Sequence, residues 1–274
     1  MKQLLFDYDM KIMFDSPVSN HRFTVRCIPQ NSERQRIRQL QYRIFPDSSL
    51  AAGFSTSTDS FGNYCVYGEC SLPHERFEIH VQGMVESGLQ TWETAASEHM
   101  LGRYRYATDY TRPGKNIYEF YRQFSFSPAM TVRDKSIRMM HRLYDRLAYV
   151  PGATQISTTA EEALTLGKGV CQDYSHILIS LCRLEGIPAR YVVGMLMGEG
   201  ASHAWVEIYD KNRWYALDPT NNLFVEDAHI KISHGRDYKD CLINQGVFTG
   251  TAKQAQEIHV LVEERDCQED GEHD

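Results

Sequence analysis

Apolar and polar residues alternate along the first third of the chain. The segments FDYDMKIMF (6–14), HRFTVRCIP (21–29), QLQYRIFP (39–46) and RFEIHVQGMVE (76–86) place apolar side chains mostly at every second position, with turn-forming residues between them. That period belongs to strands with one buried face. An antiparallel sheet or small sandwich is predicted over residues 1–87. Within it, Asp59-Ser60-Phe61-Gly62-Asn63 reads as a tight turn into the next strand.

Near residue 88 the period lengthens. In TVRDKSIRMMHRLYDRLAYVPG (131–152), Ile137, Met140, Leu143, Tyr144 and Leu147 recur at helical steps, and Pro151-Gly152 is expected to close the helix. Thr158 followed by Glu161 resembles a capping box for a short helix stopping at Gly167. GVCQDYSHILISLCRLEG (169–186) predicts a helix beginning near Cys171, with Leu178, Leu181 and Cys182 inward and Gly186 and Pro188 as stop signals. ARYVVGMLM, SHAWVEIYD and RWYALDPT then read as strands. The division that follows is a β-rich domain at 1–87, a second domain at 88–262 and an acidic tail at 263–274.

Composition adds limits. With 42% apolar and 24% charged residues the chain reads as a folded globular protein, and a formal charge of −7 gives no electrostatic reason to meet nucleic acid or an anionic membrane. Asp7, Asp9 and Lys11 interrupt the apolar run that a signal peptide would need, so a cytoplasmic location is expected. Seven cysteines at irregular spacing do not resemble a secreted disulfide framework.

One of those cysteines has a reactive context. Cys171 follows Gly169-Val170 at a helix start, where unpaired N–H groups and the positive dipole end favour a thiolate. Asp173 nearby reads as the helix cap. In SHAWVEIYD, alternation puts His203, Trp205 and Glu207 on one face and Ala204, Val206 and Ile208 on the core face. If Lys211-Asn212 forms a two-residue hairpin turn, Asp210 pairs with Arg213, and Asp218 lies diagonal to His203 on the same face. A slip of one residue would separate them. Taken alone, His203 could be a structural strand histidine and Asp218 a turn former before Pro219. Together with Cys171 they could supply a nucleophile, a proton carrier and an orienting carboxylate.

The blocks GVCQDYSH (169–176), GIPARYVVG (186–194), SHAWVEIY (202–209), DPTNN (218–222) and HIKISHGRDYKD (229–240), in this order, resemble the bacterial transglutaminase-like family. YVPGAT (149–154) and DSFGN (59–63) resemble its lead-in and its accessory β domain. The resemblance implies an α+β fold, a papain-like transglutaminase core preceded by an antiparallel β-rich domain. It also implies a Cys171–His203–Asp218 triad acting on a peptide or amide substrate, with no cofactor and no metal. The Cys171 N–H would be one oxyanion donor and Gln172 a weak candidate for the second, while Asp237 reads as a helix cap or ion-pair partner. The short Met197–Ser202 loop, and Cys241-Leu242-Ile243 where the family carries a proline, depart from the pattern at the rim of the cleft.

Hydrolysis through a thioester is preferred over acyl transfer to an amine, because nothing resembles the added barrels or calcium sites of animal crosslinking enzymes. A binding module that keeps the fold is the reading from another class. Zinc on Cys171, His176 and Cys182 does not fit the spacing of a zinc knuckle. Oligomeric state is not legible.

Overall fold

The computed structural model describes residues 1–46, 50–94 and 98–265. The chain begins with β1 (Lys2–Val25), β2 (Gln35–Phe45), β3 (Leu50–Thr58), β4 (Tyr64–Cys70), β5 (His74–Ser87) and β6 (Trp92–Thr94). It continues through α1 (Glu98–Arg105), α2 (Lys115–Tyr121), α3 (Val132–Arg146), β7 (Ala148–Tyr149), α4 (Ala160–Leu166), β8 (Lys168–Gly169) and α5 (Cys171–Leu184). Then come β9 (Ala189–Leu196), β10 (Gly198–Gly200), β11 (His203–Asp210), β12 (Arg213–Asp218), β13 (Leu223–Phe224) and β14 (His229–Gly235). A 3-10 turn (Tyr238–Cys241), β15 (Asn244–Thr249) and β16 (Gln254–Glu264) complete it.

The two segments expected at 6–14 and 21–29 are largely one strand that changes partners. Up to Phe14, β1 lies between β5 and β16; from Ser19 on, it lies between β4 and β15. Pro17, which has no N–H to give a ladder, sits at the hand-over. A bulge between Ser19 and Arg22, with Asn20 at φ +48°, shifts the inward positions from even (Leu4 to Phe14) to odd (Phe23, Val25). The two leaves meet through aromatics: the rings of Phe23 and Phe77 are 4.7 Å apart.

Both β15 and β16 hydrogen-bond to β1. The span 88–262 expected for the second domain is therefore too long at its end, because Val260 and Val262 bury themselves in the first sheet. Glu263 and Glu264, expected in an acidic tail, close β16 opposite Leu5 and Leu4. The ending from Asp266 onward lies outside the described residues. The short loop after Met197 is the strand β10, paired to β16.

The second sheet has the order β13-β12-β11-β9-β14, with β6 added on β12. Helix α5 packs on it, and Ile177, Leu178 and Leu181 join Ala204, Val206 and Ile208 in the main core. The outer face is also covered, where Trp205 is buried with Val192, Ala216 and Val225. Helix α3 buries Met139, Met140 and Leu143, whereas Tyr144 is exposed, so the buried stripe is rotated from the one expected. It ends at Arg146, before Pro151, because Ala148–Tyr149 leaves as a strand paired to β8. The capping box of α4 is Thr159 with Glu162, one residue later than expected, and Gly167 ends the helix at φ +70°.

The outer edge of β14 is held by side chains of the first domain. Asn63 Nδ2 donates to the His234 carbonyl and Asn63 Oδ1 accepts from the His234 N–H, both at 2.8 Å. Gln35 does the same at Lys231, at 2.8 and 2.7 Å. Ser87 Oγ donates to the His229 carbonyl at 2.8 Å. Two amides and a hydroxyl thus satisfy an edge that would otherwise need another strand. Asn63 is the last residue of the turn read from sequence as plain hairpin chemistry; Asp59 Oδ1 shapes that turn by accepting from the Phe61 and Asn63 N–H groups.

Candidate active site

Val170 is extended and α5 begins at Cys171 because Asp173 turns back to cap it. Asp173 Oδ2 accepts from the Val170 N–H at 2.7 Å and from Thr154 Oγ1 at 2.6 Å. Burial raises the pKa of Asp173 against the pull of these two bonds. Residue 169 must be glycine, since a Cβ there would lie 2.6 Å from Asp173 Oδ2. The cap, and not a substrate, is what approaches Gly169. Cys171 itself is half-buried. As the first residue of the helix, it offers an N–H with no intrahelical acceptor.

Strands β11 and β12 take the register derived from the hairpin turn. Lys211 and Asn212 both have positive φ, +47° and +64°, as a primed two-residue turn requires. Asp210 pairs with Arg213 and Val206 with Leu217. One step beyond, Asp218 sits diagonal to His203, and His203 Nε2 lies 2.7 Å from Asp218 Oδ2. Burial disfavours a charged His203 ring, but the hydrogen bond to Asp218 and the influence of Asp218 and the Cys171 sulfur outweigh it. The His203 pKa is pushed up to about 10.

Asp218 is fully buried and gathers five donors. Oδ1 accepts from the N–H groups of Thr220 (3.0 Å) and Asn221 (3.2 Å), so the turn role and the site role belong to the same carboxylate. Oδ2 accepts from His203, from Asn221 Nδ2 at 2.8 Å and from His229 Nε2 at 3.2 Å. Burial alone would raise its pKa, yet the bonds from His203 and His229 prevail and hold it below the usual carboxylate range. No local pattern marks His229 in sequence, since it lies 11 residues beyond Asp218 on the opposite edge of the sheet.

Gly194, opposite His203, fixes the floor of the site. A Cβ there would meet the Ile230 carbonyl at 2.2 Å and the Trp205 indole at 2.3 Å. The indole crosses β9 over this glycine and packs edge-on to His229, centroids 5.3 Å apart at 76°. Farther along the same face, Arg190 Nε donates to Glu207 Oε2 (2.5 Å) and Arg190 Nη2 to Glu93 Oε2 (2.7 Å). Lys231 Nζ reaches Glu93 at 2.7 Å and both oxygens of Glu207 at 3.0 and 2.9 Å. The polar face predicted for β11 is therefore a buried layer of ion pairs between the two sheets, with Arg34 beside it.

The remaining sequence candidates are tied up locally. Gln172 Nε2 donates to the Ile156 carbonyl at 2.9 Å. Asp237 caps the 3-10 turn by accepting from the Lys239 N–H at 2.8 Å. His176 is buried between Tyr110 and Tyr191 and accepts the Tyr238 N–H at 3.1 Å, while Cys182 lies beside Ser136. Cys171, His176 and Cys182 thus occupy three separate environments.

Residues 104–219 match the family model of the transglutaminase-like superfamily core, and residues 6–86 match that of the bacterial transglutaminase-like N-terminal region. An uncharacterized protein of Mycobacterium tuberculosis is 31% identical over 253 residues, covering 80% of this chain and 79% of that one. One of Mycobacterium leprae is 26% identical over 271 residues, covering 92% and 94%. The crystal structure of a candidate cysteine protease from Cytophaga hutchinsonii has the same fold, with a TM-score of 0.77 at 21% identity, covering 97% of this chain and 91% of that one. Two family models in series, relatives matched over most of their length and a shared fold identify the chain as a member of the transglutaminase-like superfamily with the bacterial type of N-terminal β domain.

Proposed function

We propose that the chain is a cysteine hydrolase that cleaves an amide or peptide bond through a thioester on Cys171, with His203 as proton carrier and Asp218 as its orienting carboxylate. The observation that carries this reading is the 2.7 Å His203–Asp218 contact, together with the raised proton affinity that Asp218 and Cys171 confer on the same ring. The Cys171 thiolate, paired with the His203 imidazolium, attacks the carbonyl carbon. The tetrahedral oxyanion forms beside the Cys171 N–H, which has no intrahelical acceptor. On its collapse the imidazolium protonates the leaving amine, and the acyl group stays on sulfur. Water then gives a proton to His203, attacks the thioester, and releases the acid and the thiolate.

A cytoplasmic setting belongs to the same proposal. Cys27, Cys65, Cys171, Cys182 and Cys241 carry free thiols, in keeping with a reducing compartment. Among the described residues no helix is long and apolar enough to cross a membrane.

Two measurements test the reading. Iodoacetamide at neutral pH should label Cys171 well ahead of the other cysteines, and a panel of peptides should leave a trapped acyl group on Cys171 by mass spectrometry. Equal labelling of all accessible thiols, with no acyl adduct, would favour a non-catalytic binding module. Supplying a primary amine distinguishes the acceptor: incorporation faster than hydrolysis would replace the hydrolase reading with acyl transfer.

A further inference from the structure

We propose that His229 is a positioning residue for the triad carboxylate, donating its Nε2–H to the Asp218 oxygen that His203 uses and thereby holding that carboxylate ionised and aimed at His203. The proposal rests on the reading of Cys171, His203 and Asp218 as a triad. Its geometry is a cluster of two imidazoles converging on one buried oxygen, at 2.7 Å from His203 and 3.2 Å from His229.

The tautomer follows from chemistry. An ionised carboxylate only accepts, so His229 Nε2 must carry the proton. Burial lowers the His229 pKa and the charge of His203 lowers it further, although Asp218 pulls the other way. A neutral ring donates without competing for the negative charge, which leaves His203 as the cation of the site. Among the described residues His229 Nδ1 is buried without a partner, and the bond to Asp218 is the hydrogen bond this ring makes to them. A side chain present only to fill this niche, against the Trp205 ring, could be wholly apolar.

The backbone of His229 is fixed from both sides. It pairs with Leu196 on β9, and its carbonyl accepts from Ser87 Oγ of the first domain. The charged groups facing the cluster are His203 from β11, Cys171 from α5 acting on His203, and Arg34, which precedes β2. Arg34 also donates to the Val225 carbonyl and therefore stays in place. The effect of His229 is read through Asp218. Without the donor, Asp218 protonates at a higher pH and stops supporting the imidazolium there.

The test compares the pH profile of Cys171 alkylation in the wild-type chain, His229→Gln and His229→Phe. Gln keeps an N–H near the position of Nε2, and Phe keeps the ring volume alone. The acid limb should move up by about one pH unit in His229→Phe, the size of one hydrogen bond to a charged group, and by less than about a third of that in His229→Gln. An unmoved limb in folded His229→Phe, or equal shifts in both variants, overturns the proposal. If His229→Phe does not fold, nitrogen-15 NMR of the wild-type imidazoles decides. Protonation at Nε2 alone between pH 6 and 8, perturbed by Asp218→Asn, is expected, while an Nδ1–H tautomer or a doubly protonated His229 overturns it. Should Cys171 show no enhanced alkylation in the wild type, the triad reading itself fails, an outcome distinct from a triad that ignores His229.

Discussion

Replacing Glu207 by Gln keeps its volume and removes one charge from the layer between the two sheets. In the wild-type layer Arg190 and Lys231 form ion pairs with Glu93 and Glu207, the buried Arg34 adds a third cation whose field reaches both carboxylates, and Glu207 is 1% exposed. After the substitution Arg190 and Lys231 must share the Glu93 carboxylate in the field of Arg34, and Arg190, whose guanidinium lies 4.4 Å over the Trp214 ring, cannot turn to water. Breaking a buried pair in this way costs about 3–5 kcal/mol, because the partner charge remains without compensation. Lys231 is the least buried member and can follow solvent, so about 3 kcal/mol is expected, a large share of the roughly 5–15 kcal/mol that holds a native protein folded. Urea unfolding followed by tryptophan fluorescence measures it, since Trp205 and Trp214 both border the layer. The midpoint should fall with an unchanged slope. Replacing Arg190 by Met together with Glu207 by Leu should recover most of the loss. A loss below about 1 kcal/mol for Glu207→Gln would refute the claim that these charges depend on one another for burial.

Other outcomes are accessible to similar measurements. Asn63→Ala leaves the His234 N–H and C=O unpaired in a buried place, and should cost about 2–4 kcal/mol in the same urea assay. Gly194→Ala forces the added methyl onto the Ile230 carbonyl and the Trp205 indole; the variant should lose at least about 3 kcal/mol or fail to accumulate as folded protein, and native fluorescence reads it. The raised His203 pKa sets a sign: the folded state holds a proton that the unfolded chain releases above about pH 6.5, so stability is full below that pH and falls as pH rises towards about 10. The decline is at most about 1.4 kcal/mol per unit, and comparison of urea midpoints at pH 7 and 9 should show it in the wild type and a smaller one in His203→Asn.

Much of the site was legible because its constraints are local. A two-residue turn of Lys211-Asn212 sets the β11–β12 register, and the register alone puts Asp218 beside His203. Helix start signals placed Cys171, and the Asp173 cap lies within three residues of what it caps. His229, Asn63 and Gln35 were not legible. Each acts across 11 to 196 residues of sequence, and an amide that completes a sheet edge looks in sequence like one that faces water. The β16 strand was missed for a related reason. Its inward Val260 and Val262 alternate, but read from sequence they fall to the second domain and the acidic tail begins at Glu263, which cuts the strand in two. In α3 the four-residue spacing of Met140 and Tyr144 was real, yet the core needed the stripe centred one position earlier, on Met139.

The placement of β1 between β5 and β16 also bears on how the protein is made. β1 is completed by β16, which is synthesised only after α5 and the strands of the second sheet. Until Glu264 has emerged, β1 offers an open edge along residues 4–14, and the chain must hold this unpaired surface while α5 and its cysteine fold. The same late strand carries β10, which leads directly into His203. A nascent chain therefore carries Cys171 before the sheet beside His203 is closed, and that part of the fold waits until β16 has been synthesised.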